Sequence, residues 1–417
     1  MKKEEHIVII GNSGAAINAV KGIRLVNDTC SITLLSQEPH HAYSPVLTTY
    51  LIGGKVTRNQ MSLADEAFYQ SHRTECRYRQ RVISLSVPDQ KIFIEDGTAI
   101  DYDKVLIATG ALPNPLDCDL PRGLQVFTLR TIEDAEKIRS RMSNWKDVIF
   151  AGAGLVSTQV ANALKKYLRR MIFIVGSDQI LSQNLDRCAS GLIQKRMETE
   201  GGTFLFNRKI LRVQESQEGI TVHTDQGEAI TGNALIVGKG VHPNIPKIVP
   251  EGSVKVNRGI RVDRWMQTSA KGIFAAGDVC EAIDLISGEY RVTPNWPNAC
   301  FQGLIAGQNM GGGEAIFEGS LAMNVTTLFG LPFASVGEVR NHSGEDRETS
   351  VYLDESRGIY KKWIFQGDRI IGAIMLGDIG ENALVAEIIR RRMLIAQKKK
   401  ALRAYPSKAA SILSGLL

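Results

Sequence analysis

The stretch Glu5-His-Ile-Val-Ile-Ile-Gly-Asn-Ser-Gly-Ala-Ala-Ile-Asn-Ala-Val20 constrains the fold of this chain more than any other. An apolar run of strand length breaks into a turn of small residues and then resumes with helical spacing. Gly11 permits the tight turn, Ser13 is small enough for the backbone to approach a pyrophosphate, and Ala16 lets the helix pack on the strand. The amides of a helix opening at Gly14 and Ala15 then face the phosphates. Against G-x-G-x-x-G, Ser13 and Ala16 take the second and third glycine places, and by itself the stretch also fits an ordinary βα turn.

The same logic recurs. Lys146-Asp-Val-Ile-Phe-Ala-Gly-Ala-Gly-Leu-Val-Ser157 is again strand, glycine turn and helix, with the helix expected over Thr158–Leu168. Around each unit the chain reads alike. After the first helix, Ser31–Leu35 is a second strand, and Glu38 just beyond it is either a ribose contact or a plain turn residue. Period-two stretches (Arg81–Val87, Lys91–Glu95) form a β-meander that leads into the buried strand Asp103–Gly110, and Pro113 and Pro115 mark a boundary. In the second half, Arg170–Val175, the two-period segments Ile210–Val213 and Gly219–Thr224, and Asn233–Gly238 follow in the same order. Lys271–Val279 is a short apolar strand that stops at Gly277-Asp278, where a carboxylate beside the first turn could accept hydrogen bonds from cofactor hydroxyls; Gly-Asp is also a common turn. The last hundred residues read as three strands (Glu348–Leu353, Gly358–Phe365, Arg369–Leu376), an amphipathic helix over Gly380–Arg390, and a tail with helical spacing.

Bulk properties narrow the function. At 417 residues there is room for two or three domains. The net charge of +6 is dispersed, and its longest clusters, Arg390–Arg392 and Lys398–Lys400, read as solvated helix faces, so no nucleic-acid partner is expected. No apolar run is long enough for a membrane span, and the N-terminus runs straight into the first strand, which leads us to expect a cytoplasmic protein. Six cysteines lie scattered without a C-x-x-C pair, so neither a metal site nor a dithiol is expected.

Taken together, four features resemble the FAD- and NAD(P)-dependent pyridine-nucleotide oxidoreductases: Gly11-Asn-Ser-Gly-Ala-Ala16, Ala108-Thr-Gly110, Gly152-Ala-Gly-Leu-Val-Ser157, and Thr268-Ser-Ala-Lys-Gly-Ile-Phe-Ala-Ala-Gly-Asp278. The resemblance implies an α/β fold with two Rossmann-like dinucleotide-binding domains (three-layer, with β-meanders) and an α+β C-terminal interface domain. It places a split FAD domain at 1–115 and 245–320, an NAD domain at 116–244 and the interface domain at 321–417. It further implies that Gly11, Ser13, Gly14, Ala15 and Ala16 hold the FAD pyrophosphate and that Glu38 lies at the adenosine ribose. Val82 would meet the adenine through its backbone, and Ala108, Thr109 and Gly110 would be further FAD contacts; Asp278 would take the ribityl chain and Trp296 would line the flavin. Arg130 matches a residue that contacts FAD in relatives, against a surface ion pair with Glu133 or Asp134. For NAD, Gly152, Gly154, Leu155, Val156 and Ser157 would take the pyrophosphate, Ser177 would stand at the end of the second strand, and Gly238 and Gly240 would lie near the nicotinamide.

What is missing selects a branch. Relatives that reduce disulfides carry cysteine after the second strand, where this chain has Tyr43-Ser-Pro-Val-Leu-Thr-Thr-Tyr50; Cys30 precedes that strand and so lies at its opposite end. The His–Glu pair of glutathione-reductase-like dimers is absent too, His342 being the only histidine after His242. The remaining branch, which the chain resembles, holds rubredoxin and ferredoxin reductases, the flavin portion of nitrite reductases, and the flavoprotein subunits of phenylglyoxylate-dehydrogenase-type complexes. In these a hydride passes to flavin and electrons leave singly, so no protein residue is assigned a catalytic role. The implied partners are a ferredoxin- or rubredoxin-like carrier or the iron–sulfur subunits of a larger complex, with a homodimer through the C-terminal domain as a further expectation. Thr49 and Gln159 stand where relatives carry a lysine and a glutamate. Gly176 replaces the usual acid of the NAD site, followed by Ser177 and Asp178; no arginine is expected there to meet a 2′-phosphate and Asp178 would repel one, which favours NADH over NADPH. The alternatives are an NADH oxidase reducing oxygen directly, and a FAD-containing scaffold subunit with a vestigial nicotinamide site.

Overall fold

The computed structural model describes residues 5–121, 123–340 and 347–416; His342 lies outside them. By its internal contacts the chain forms two compact units, the first from residues 1–47, 56–112 and 241–321, the second from 48–55, 113–240 and 322–417.

Unit 1 opens with β1 (His6–Ile10), α1 (Gly14–Val26) and β2 (Ser31–Leu35), then β3 (Thr74–Arg77) and β4 (Lys104–Ile107). β1 lies between β2 and β4, all parallel, with His6 opposite Ser31 and Ile7 opposite Lys104. Its residues Ile7, Val8 and Ile9 are fully buried, as expected of a parallel strand covered on both faces. The meander Val82–Ser86, Lys91–Ile94 and Ala99–Asp101 forms where period two places it.

The short helix α2 (Thr48–Ile52) belongs by contacts to unit 2. There β5 (Val126–Phe127), α3 (Ile132–Arg141), β6 (Asp147–Ala151), α4 (Leu155–Leu164), β7 (Arg170–Val175), α5 (Arg187–Thr199), β8 (Gly202–Phe206) and β9 (Ala234–Val237) build a second parallel sheet in the order β8-β7-β6-β9-β5. The helix expected from Thr158 starts at Leu155, because the glycine turn itself delivers the chain into helical geometry.

The chain then returns to unit 1 with β10 (Ile273–Ala275), which completes the first sheet as β10-β4-β1-β2-β3. α6 (Trp296–Met310) packs on α1 almost backbone to backbone: a Cβ on Gly303 would sit 2.1 Å from the Ala15 carbonyl, and one on Gly307 2.1 Å from that of Ala19.

In the C-terminal part of unit 2 the structure has five antiparallel strands where three are expected. They are β11 (Met323–Leu328), β12 (Leu331–Gly337), β13 (Arg347–Asp354), β14 (Ile359–Gln366) and β15 (Arg369–Leu376), in the order β11-β12-β15-β14-β13. The extra hairpin turns at Phe329-Gly330, both at positive φ, and carries Pro332 inside its second strand, a residue that argues against a central strand when read locally. The helices α7 (Asn382–Arg390) and α8 (Ala396–Ala404) follow. The tail folds back on the sheet, where Trp363 Nε1 donates to the Pro406 carbonyl at 2.9 Å. Lys399 of the second basic cluster pairs with Glu348, as does Arg403 beyond it.

By internal contacts residues 322–417 share unit 2 with the second parallel sheet. Polar ties explain why. Gln159 donates to Thr326 at 3.3 Å, Asn162 accepts the Phe329 amide at 2.9 Å, and Asp186 accepts from Tyr360 at 2.6 Å and from Lys362 at 2.9 Å. Among the described residues no helix is long and apolar enough to cross a membrane.

Candidate nucleotide-binding sites

In unit 1 the expected site residues Gly11 to Ala16, Ala108 to Gly110 and Asp278 follow the carboxyl ends of β1, β4 and β10. Gly11 has φ +119°, and a Cβ there would lie 2.2 Å from the Ala108 carbonyl, so only glycine lets the β1 turn pass the end of β4. Gly277 brings the Gly-Asp turn to the same place: a Cβ on it would be 3.4 Å from that of Ala15. Its amide donates to Gln302 Oε1 at 2.8 Å. Asp278 is half-buried there. The strand order reverses between β1 and β4, the switch point at which open α/β sheets receive ligands.

The α1 N-terminus is left without a side-chain cap. Ser13 is the N-cap residue but makes no capping bond, and no acid lies in the first turn. Gly154, at the N-terminus of α4, is likewise an uncapping residue, and a Cβ on it would meet open space. By contrast Thr131, Asp186 and Asn295 cap their own helices. The two helices that follow glycine turns thus keep amides and a positive dipole end for an anion, the fit a dinucleotide pyrophosphate requires.

Around the first turn, Asn12 is held by the Tyr69 hydroxyl at 2.9 Å and donates to the His40 carbonyl at 3.3 Å. Trp296 lies against the turn, its ring 2.9 Å from where a Gly14 Cβ would be. Thr109 Oγ1 donates to the Asn244 carbonyl at 2.5 Å, and the Asn244 amide returns to Gly110 at 2.9 Å. Glu38 is half-buried and accepts from the Tyr43 hydroxyl at 2.6 Å. Val82 lies on the first meander strand, paired with Ile94. Arg130 belongs to unit 2, where its main-chain amide donates to Asp134 at 2.9 Å beside the Thr131–Asp134 capping box. Burial pushes the Cys76, Cys280 and Cys300 thiols up, away from the thiolate form.

Unit 2 repeats the construction. Gly152 has φ +95°, and a Cβ there would lie 2.7 Å from the Gly238 carbonyl. Leu155 and Val156 open α4, half-buried, with their amides in the uncapped first turn. Ser157 is fully buried, and its Oγ lies against Gly238 with no hydrogen-bond partner, so it stands where close helix–strand packing is needed rather than facing outward. Gly240, at φ +82°, accepts the Asn114 amide at 3.0 Å through its carbonyl. Ser177 Oγ donates to the Gln179 carbonyl at 2.8 Å, and the Leu181 amide donates to the Ala153 carbonyl at 2.9 Å, pinning the loop after β7 to the glycine turn. Asp178, Gln179 and Ser182 of this loop, with Arg187, Arg340 and Lys362 among others, line a cavity of about 480 Å3. Arg187, which pairs with Asp178, escapes sequence reasoning because only the start of α5 brings it back to the loop.

Two parallel sheets, each with a glycine turn at its switch point and an uncapped helix behind it, define the class of pyridine-nucleotide oxidoreductases with paired dinucleotide sites. The chain belongs to the pyridine nucleotide-disulphide oxidoreductase family, whose model matches residues 5–303; residues 323–393 match the rubredoxin NAD+ reductase C-terminal domain. Subunit epsilon of the NADH-dependent phenylglyoxylate dehydrogenase of Aromatoleum evansii is 28% identical over 388 residues, covering 92% of this chain and 91% of that one. The assimilatory nitrate reductase electron transfer subunit of Bacillus subtilis is 27% identical over 402 residues, 95% of this chain but 51% of that protein, so the chain spans about half the length of this relative. A ferredoxin reductase from Rhodopseudomonas palustris shares the fold with a TM-score of 0.85 at 21% identity, over 95% of this chain and 97% of that one.

Proposed function

We propose that the protein is a FAD-dependent oxidoreductase that passes electrons between NADH and a one-electron iron–sulfur carrier or partner subunit, without a redox-active cysteine. The observation that carries this reading is the duplicated glycine turn, Gly11 against Ala108 and Gly152 against Gly238. Bound FAD would supply the chemistry that accepts a hydride with its electron pair and releases the two electrons singly. The chain's own residues bind and orient. In this reading 1–115 and 245–320 are the FAD domain and 116–244 the NAD domain. The first-turn amides from Gly14 to Ala16 hold the FAD pyrophosphate, Asp278 accepts from the ribityl hydroxyls, Glu38 from the ribose, and Trp296 lines the ring. The amides of Gly154 to Val156 hold the second pyrophosphate. Two relatives whose names make them subunits of larger oxidoreductases support the subunit form of the proposal.

Anaerobic stopped-flow absorbance tests it. NADH should bleach the bound flavin, NADPH should do so more slowly, and an oxidised ferredoxin or rubredoxin should restore the colour. Reoxidation by oxygen at the full turnover rate would establish the oxidase alternative instead, and no bleaching by either nucleotide the scaffold alternative.

The thiols give an independent check. Because burial raises Cys76, Cys280 and Cys300 above the ordinary thiol value of 9.0, the thiolate is scarce at neutral pH and appears only as the pH climbs past it. Iodoacetamide at pH 7 should therefore leave NADH-to-acceptor activity intact. Rapid inactivation protected by NADH would sink the cysteine-free mechanism.

A further inference from the structure

The first glycine turn carries one side chain that holding the cofactor leaves unused. Asn12 stands between Gly11 and Ser13, and its carboxamide is engaged on both sides. Its Oδ1 accepts from the Tyr69 hydroxyl at 2.9 Å, while its Nδ2 donates to the His40 carbonyl at 3.3 Å and faces the Cys76 sulfur at 3.9 Å. Tyr69 Oη in turn accepts the Ala42 amide at 3.2 Å. The bonds therefore run in one direction, from the Ala42 amide through the Tyr69 hydroxyl and the Asn12 carboxamide to the His40 carbonyl. They leave the loop after β2 and return to it two residues earlier. The same loop carries Glu38, whose carbonyl accepts from Ser36 Oγ at 3.1 Å.

Tyr69 is placed to hold a single orientation. It is 2% exposed, on the helical turn Glu66–Ser71, which Asp65 caps by accepting the Phe68 amide at 3.0 Å. His41 stacks on its ring with centroids 5.8 Å apart, and Phe68 meets it edge-on at 5.5 Å. Burial raises its hydroxyl above the ordinary 10.0, so it stays a donor throughout the neutral range. With its one proton given to Asn12 and a lone pair given to Ala42, the hydroxyl has no other arrangement that keeps both bonds.

Resting on the reading of Gly11 to Ala16 as the FAD pyrophosphate turn, we propose that Tyr69 is a positioning residue for that pyrophosphate and acts through Asn12. The hydroxyl fixes the carboxamide, the carboxamide fixes the turn between Gly11 and Ser13, and the uncapped amides of α1 then point at the phosphates. Because the same bonds fasten the loop of Glu38 to the turn, the adenosine end and the pyrophosphate of the cofactor are held as one unit. Removal of the hydroxyl leaves Asn12 Oδ1 without its donor and loosens the turn, which costs retention of the cofactor rather than its chemistry.

Two measurements on the purified holoprotein test this. Phosphorus NMR of bound FAD reports the surroundings of the pyrophosphate, and the rise in flavin fluorescence after dilution reports FAD release. Tyr69→Phe should shift the phosphorus resonances and speed release about tenfold, the equivalent of one hydrogen bond left unmade. Asn12→Ala should do the same, and the double variant should match the single ones because both remove one linkage. Tyr102→Phe removes an equally buried hydroxyl of the same unit, bonded to the Ser86 carbonyl at 3.2 Å, and should move neither reading. Wild-type resonances and release in either Tyr69→Phe or Asn12→Ala would overturn the proposal. So would single-variant effects that multiply in the double variant, or a Tyr102→Phe protein that releases FAD as fast as Tyr69→Phe. A wild-type protein that holds no FAD would instead overturn the reading on which the proposal rests.

Discussion

Gly11→Ala is expected to purify folded but colourless, and Gly152→Ala yellow but no longer bleached by NADH. The first substitution places a methyl 2.2 Å from the Ala108 carbonyl at φ +119°, the second a methyl 2.7 Å from the Gly238 carbonyl at φ +95°. Neither neighbour is a flexible side chain; both are backbone at a parallel strand end, so the turn itself must move away from its helix amides. Backbone strain and overpacking of this kind cost about 1–3 kcal/mol each. Even about 2 kcal/mol taken from ligand binding is roughly a thirtyfold loss of affinity. The flavin-to-protein absorbance ratio and stopped-flow bleaching read the two effects, with circular dichroism confirming the fold. Two yellow, NADH-responsive variants would show that the turns are not where the nucleotides sit.

The second large effect is on stability. Lys361 is 1% exposed on β14, and its ammonium lies 2.7 Å from Asp378 and 2.8 Å from Glu381, itself 6% exposed. Lys361→Met should destabilise unit 2 by about 3–5 kcal/mol in chemical denaturation, because it strands the Glu381 carboxylate in the interior. Lys361→Met with Glu381→Leu should recover most of the loss; a double variant no better than the single one would refute that explanation.

The pH dependence of this cluster has a definite sign. Burial alone would lower the Lys361 ammonium, but the Asp378 and Glu381 carboxylates outweigh it and raise it above 10.5. Its stabilisation is fully present below 10.5 and lost as the pH rises through the raised folded value. The Lys361 ammonium holds Asp378 below 3.8, and that contribution is present above 3.8 and lost as the pH falls through the lowered folded value. Asp378 is 54% exposed, so solvent screening keeps the acid-side loss small. The contribution of the Lys361–Asp378 pair to wild-type stability should therefore be flat from pH 5 to 9.

Local pattern in the chain determined a great deal here. Both strand–turn–helix units, the meander, the buried strand before Ala108 and the family itself are legible because φ/ψ preference and burial periodicity are encoded within a few residues. Gly11 and Gly152 could be picked out before any strand was paired.

Tertiary structure alone decided what those residues face. That Gly11 must clear Ala108, that Gly277 lies against Ala15, and that Arg187 meets Asp178 depends on strand order and helix placement rather than on spacing. The hairpin around Phe329-Gly330 was illegible for the opposite reason. Pro332 and an atypical turn pair argue against strands locally, and the cross-strand bonds of a five-stranded sheet outweigh them. The grouping of residues 322–417 with the second parallel sheet was likewise hidden, because the ion pair and hydrogen bonds at Asp186 join residues far apart in the chain, and no local pattern records such partners.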